Sequence, residues 1–109
     1  MELHFCSRRL QAIAESADRL DGLLGPQAAA VARQRLCELA AADNLFIASK
    51  LLTLRFAPIA NTTSRYVIQI TDTIPLIFQP LETTGRTGSV ELAQIFSIRV
   101  LMIGECDGR

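Results

Sequence analysis

The side chains able to do chemistry in this sequence are mostly arginines. Ten arginines stand beside one lysine, Lys50. A guanidinium presents a planar fork that fits phosphate oxygens two at a time. Arg8 and Arg9 open a helix, where a cation opposes the helix dipole; a contact with RNA or a partner accounts for this, and so does plain solvation. Arg65 heads an alternating segment, where it either approaches a nucleic acid or blunts an exposed strand edge. Arg86 lies in TTGRTGS, a glycine-rich stretch able to swing over a ligand, but without the strand–loop–helix surroundings of a phosphate-binding loop. Arg99 interrupts an apolar run and needs a partner or an exit to solvent. The single histidine, His4, reads as a strand surface residue rather than a general base. The single tyrosine, Tyr66, falls on an apolar face and reads as core.

Cys6, Cys37 and Cys106 are too few and too scattered for a disulfide framework, and none are at CxxC spacing. Zinc usually takes four Cys or His ligands in paired spacings. The cysteines therefore read as small buried apolar side chains, with no metal and no cofactor expected. Formal net charge is zero and the pI is about 6.6. Proteins that hold nucleic acid through its phosphates usually carry a basic excess, so any such role here requires the arginines to cluster on one face.

The elements that must position these groups follow from the hydrophobic pattern. With 109 residues, the chain is sized for one domain, residues 1–109. No apolar run reaches the roughly 20 residues of a membrane span, and MELHFCSRRL lacks the features of a secretory signal, so a cytoplasmic location without membrane contact is expected. Residues 2–6 alternate as a short strand. Ser7 is a candidate N-cap. From Arg8 to Leu24 apolar residues recur at helical spacing, with Leu10, Ile13, Ala14, Ala17, Leu20 and Leu24 on one stripe. Gly25-Pro26 closes that helix in the left-handed conformation and opens a second. The second helix runs to about Ala42, burying Ala29, Ala32, Leu36, Leu39 and Ala40 and forming an antiparallel hairpin with the first.

Leu45 to Leu54 reads as a short helix or irregular chain. Arg55 to Ala60 reads as a strand stopping near Pro58, followed by a polar turn at 61–64. Arg65 to Thr71 and Ile74 to Gln79 form a hairpin around Asp72, with Pro75 marking an edge or a strand start. Residues 80–89 form a polar loop. Leu92 to Glu105, apolar on both parities, reads as a central strand covered on both faces. The predicted fold is α+β: a short N-terminal strand and a two-helix antiparallel hairpin on a mainly antiparallel sheet of three or four further strands.

Two stretches, ELAAADNLFIASKLLTLR (38–55) and SRYVIQITDTIPLIFQP (64–80), resemble the plasmid-maintenance killer proteins of the RelE/HigB toxin superfamily. The likeness lies in Ala42-Asp43-Asn44-Leu45 at the second helix end, Leu76-Ile77-Phe78-Gln79-Pro80 in the hairpin, and the element order. It implies a RelE-like fold and the toxin component of a type II toxin–antitoxin system. Such a protein is a metal-free, ribosome-dependent mRNA endoribonuclease with an antitoxin protein as partner. In that chemistry a base activates the ribose 2′-hydroxyl and cations stabilise the charged phosphorane. The resemblance implies Arg55 and Arg65 as catalytic cations, with Arg8, Arg9 and Arg86 as further RNA-binding candidates. The sequence departs from the family at Ile74-Pro75, which replaces a tyrosine–arginine pair, and at Glu105-Cys106-Asp107, which replaces a terminal aspartate–tyrosine–histidine. An active member should carry three or four convergent groups, whereas Arg55 and Arg65 supply two. The alternative is a non-catalytic protein-binding module on the same fold, holding an antitoxin by strand addition or by a helix in a groove.

Overall fold

The computed structural model describes residues 1–51, 54, 56–59, 65–81 and 95–104. Among these the element order is β1 (Glu2–Phe5), α1 (Arg8–Ala14), α2 (Ala17–Leu24), α3 (Pro26–Ala41), α4 (Leu45–Ser49), β2 (Ala57–Pro58), β3 (Tyr66–Thr71), β4 (Ile74–Pro80) and β5 (Ser97–Ile103). The described part is an α+β fold with four helices and a mixed five-stranded sheet. None of the described helices is long and apolar enough to cross a membrane.

The stretch expected as one helix over 8–24 is two. Ser16 adopts an extended backbone, and its hydroxyl accepts from the Arg19 amide at 3.2 Å. A serine that caps a new first turn offers the backbone an alternative to helix continuation. The break rotates the stripe, so Leu10 and Leu20 are buried, Ile13, Ala14 and Leu24 are half-buried, and Ala17 is exposed. Ser7 caps α1 as expected, accepting from Leu10 at 3.1 Å.

Gly25 closes α2 and opens α3 with φ 87° and ψ 154°. Its φ is positive as anticipated, but its ψ lies outside the left-handed helical well, in a region essentially restricted to glycine. The next residue, Pro26, starts α3. An Arg33–Asp21 ion pair at 3.3 Å links α3 back to α2. The buried stripe of α3 is Ala28, Ala29, Ala32, Leu36 and Leu39, whereas Ala40 is exposed. Asn44 caps α4 by accepting from Ile47 at 2.9 Å, so the 45–54 segment does begin with a short helix.

The strand order is β1-β5-β4-β3-β2. β1 pairs with β5 in parallel, and the other neighbours are antiparallel. β4 is therefore an interior strand, so Pro75 marks a strand start and not an edge. The β3–β4 register shifts between Gln69 and Thr71, opposite Pro75 and Ile74, which accommodates the amide that proline lacks. The Pro75 carbonyl still accepts from the Gly104 amide at 2.8 Å.

β5 is central, as its apolar character implies, but it is not covered on both faces by described helices. Its partners on β4 jump from Phe78↔Val100 to Ile77↔Met102, leaving Leu101 as the extra residue of a bulge. That bulge switches the inward parity, so Ile98, Val100 and Ile103 are all buried. One continuous core joins these residues to Leu10, Leu20, Leu39 and Leu45 of the helices and to Ile68, Leu76 and Phe78 of the hairpin. The described helices thus pack against one face of the sheet. The cysteines depart from expectation too: Cys6 and Cys37 are both exposed, while Cys106 lies outside the described residues.

Candidate nucleic-acid interface

The other face of the sheet carries the side chains that alternate with the core. On β1, Leu3 and Phe5 pack against the core while Glu2 and His4 are exposed. On β5, Arg99 stands exposed between Ile98 and Val100, both completely buried, so its backbone is held while its side chain points to solvent. On β4, Gln79 lies between the buried Phe78 and Pro80. Arg65 immediately precedes the inward-facing Tyr66, is exposed, and accepts from the Ile59 amide at 2.9 Å through its carbonyl.

The register aligns these residues. His4 is opposite Arg99, and Arg99 is opposite Gln79. Tyr66 pairs with Phe78, so the same register continued by one residue sets Arg65 opposite Gln79. His4, Arg99, Gln79 and Arg65 thus form one row across four elements, spanning about 14 Å at the ~4.8 Å spacing of neighbouring strands. Two residues along, Met102, Ile77, Val67 and Ala57 form a parallel row that is apolar. A basic row beside an apolar one suits a polyanion whose uncharged parts also lie against the surface.

Packed aromatic rings back two of these positions. Directly behind Arg65 and Gln79, Tyr66 and Phe78 stack with ring centroids 5.7 Å apart, and Phe56 meets them edge-on at 5.3 and 5.5 Å. Such pairs add roughly 0.5–1.5 kcal/mol each beyond simple burial and hold the strand ends that carry the polar row. Tyr66 is half-buried and packs against the core, on the side its parity implied.

Electrostatically the row favours anions. Among the described residues neither Arg65 nor Arg99 forms an ion pair. Glu2 is the single carboxylate on the described strands. It is hydrogen-bonded to His4, Oε1 to Nε2 at 3.1 Å. Among the described residues, a chain of zero net charge thus carries two arginines and a histidine against one carboxylate on this face. No described group of three or more His, Cys, Asp or Glu side chains is placed to hold a metal ion.

Of the residues singled out from sequence, Arg65 belongs to this row. Arg55 and Arg86 lie outside the described residues. Arg8 and Arg9 are exposed on the first turn of α1, beyond the end of β1 and off the row. Sequence reasoning missed His4, Arg99 and Gln79 as a group. Arg99 was visible as the one charge in an apolar run, but its neighbour His4 is 95 residues away and reaches it only through the parallel β1–β5 pairing. A second concavity, lined by Leu3, Phe5, Ala14, Leu36 and Cys37 between β1 and the helices, has Glu15 as its charged group and offers nothing to a phosphate. Comparison with family models, curated proteins and solved structures found no match for the chain.

Proposed function

We propose that this protein is a RelE/HigB-like toxin whose polar sheet face, opposite the described helices, engages mRNA on the ribosome and cuts it. The observation that supports this reading is the His4–Arg99–Gln79–Arg65 row. Two arginines whose backbone positions lie two strand spacings, about 10 Å, apart are suited to phosphates of a single strand. The element order, with helices before a hairpin-linked sheet, agrees with the order the resemblance implies. Cleavage within such a face needs only a base for the 2′-hydroxyl and cations for the phosphorane, so the reaction class is metal-free transesterification. A cognate antitoxin is the expected protein partner, and the cytoplasm, where translating ribosomes are, is the expected site of action. Inducing the protein alone in growing bacteria and mapping new mRNA 5′ ends tests this. Growth arrest with cuts inside translated codons supports it; intact mRNA with the protein folded opposes it.

One observation favours a non-catalytic binding module as the second reading. Phe46 and Ile47, each 43% exposed, and Leu51, 36% exposed, line the outer side of α4 and its end, and Phe96 is 51% exposed. The Leu45 amide bonds the Ile95 carbonyl at 3.0 Å, drawing that segment against α4. Exposed apolar side chains gathered in this way suit a protein partner. If Phe46→Asp abolishes antitoxin capture and the parent never cuts mRNA, this second reading stands instead.

A further inference from the structure

β1 lies at one end of the strand order, so among the described residues no strand pairs with its outer side. In a parallel ladder, alternate residues bond a given neighbour. The amides of Glu2 and Cys6 donate to the Phe96 and Val100 carbonyls at 2.9 and 3.1 Å. Leu3 and Phe5, one residue out of step, therefore turn both N–H and C=O away from β5. Their side chains pack against the core and, with Ala14 and Leu36, line a concavity of about 290 Å³ beside this edge. Glu2 and His4 occupy the opposite face and are exposed. An open backbone edge next to an apolar hollow is a template for another strand.

We infer that a second copy of this chain supplies that strand, the two β1 strands pairing antiparallel about a two-fold axis at Leu3. A two-fold contact needs a surface complementary to itself, with residue i meeting j and j meeting i. Glu2 and His4 meet that condition. With Leu3 opposite Leu3 of the second copy, each Glu2 stands opposite the other copy's His4. Such a pair lies outside the hydrogen-bonded pairs, at the closer antiparallel spacing of about 4.5 Å between Cα atoms. The carboxylate accepts and the imidazole donates, and the same two groups already meet at 3.1 Å within one strand. Opposite charges facing each other across an antiparallel ladder stabilise it, and like charges oppose it. Each Leu3 amide donates to the other copy's Leu3 carbonyl, which satisfies outward groups of both edges. On the core side the two Leu3 side chains meet beside the concavities. An unrelated strand would satisfy the same backbone groups; the Glu2–His4 spacing favours a copy of β1. The contact is short, so its dissociation constant is micromolar or weaker. It holds whether or not the sheet face cuts RNA.

Sedimentation equilibrium of the full chain from about 1 μM to about 1 mM covers that range. The parent should pass from monomer to dimer. His4→Glu gathers carboxylates alone at the axis and should raise the dimer dissociation constant about 10-fold or more. The double variant Glu2→Lys, His4→Lys gathers ammonium groups alone and should do the same. An equimolar mixture of these two variants should form a heterodimer at least as tight as the parent dimer, because every carboxylate then faces an ammonium. The residues are exposed, so the variants should fold as the parent does, which a thermal melt checks. If one does not, the double variant Glu2→Lys, His4→Glu takes the place of the mixture; it reverses the order of the charges and should dimerise alone. A parent that stays monomeric to about 1 mM overturns the proposal and leaves the edge to a strand of a different protein. Dimerisation of His4→Glu equal to that of the parent, or a mixture that stays monomeric, overturns it too.

Discussion

Replacing Arg65 and Arg99 together by alanine separates an RNA-binding face from a merely solvated one. Both side chains are exposed and neither forms an ion pair among the described residues. Their removal should therefore shift stability by no more than about 0.5 kcal/mol. Their effect on RNA should be much larger and should depend on salt. Each neutralised phosphate of a single strand contributes about 0.7 to the slope of log affinity against log salt. Two contacts contribute about 1.4. Raising salt from about 50 to about 200 mM is a change of about 0.6 log units, so the two arginines account for about 0.8 log units, or ~7-fold, of the affinity lost over that range. Fluorescence anisotropy of a labelled, uncleavable single-stranded RNA at several salt concentrations reads the slope directly. Arg19→Ala, which removes an exposed arginine from the helical side, is the control and should leave the slope unchanged. A double variant whose slope equals that of the parent would refute the assignment of the row to phosphate.

The scaffold that holds that row can be tested at four positions. Ser16→Ala removes the hydroxyl that caps α2 and should cost about 1 kcal/mol by denaturant melt; no loss would mean that the helix break has another cause. Gly25→Ala places a Cβ in open space, so any cost is backbone strain at positive φ, on the order of 1–3 kcal/mol. Phe78→Ala removes a fully buried ring that meets Tyr66 and Phe56 and should cost about 3–5 kcal/mol, with binding lost in proportion to unfolding and not before it. Cys37 is exposed and should react with a maleimide in the absence of denaturant; protection until unfolding would place it in the core after all.

What the sequence discloses depends on how local the determining interaction is. The Ser7 cap, the Gly25-Pro26 joint and the hairpin around Asp72 are decided within a few residues, and all were legible. The split at Ser16 was hidden because the apolar spacing continues through it, while a single hydroxyl decides the break. The two-sided apolar character of β5 pointed to burial on both faces, yet the cause is a bulge at Leu101, which moves the inward positions from one parity to the other. The same segment shows why the candidate site was only partly legible. Arg65 is marked by its place before an alternating strand. His4 and Arg99 acquire meaning from each other through a parallel pairing of the chain's first and last described strands, and no periodicity records that.

The most direct test compares the parent with the Arg65→Ala, Arg99→Ala double variant after induction in growing bacteria, with mRNA 5′ ends mapped in both. Growth arrest and new ends inside translated codons are expected with the parent, and normal growth with intact mRNA for the double variant at equal levels of folded protein. Equal cutting by both would remove this sheet face from the chemistry, and no cutting by either would contradict the toxin reading itself.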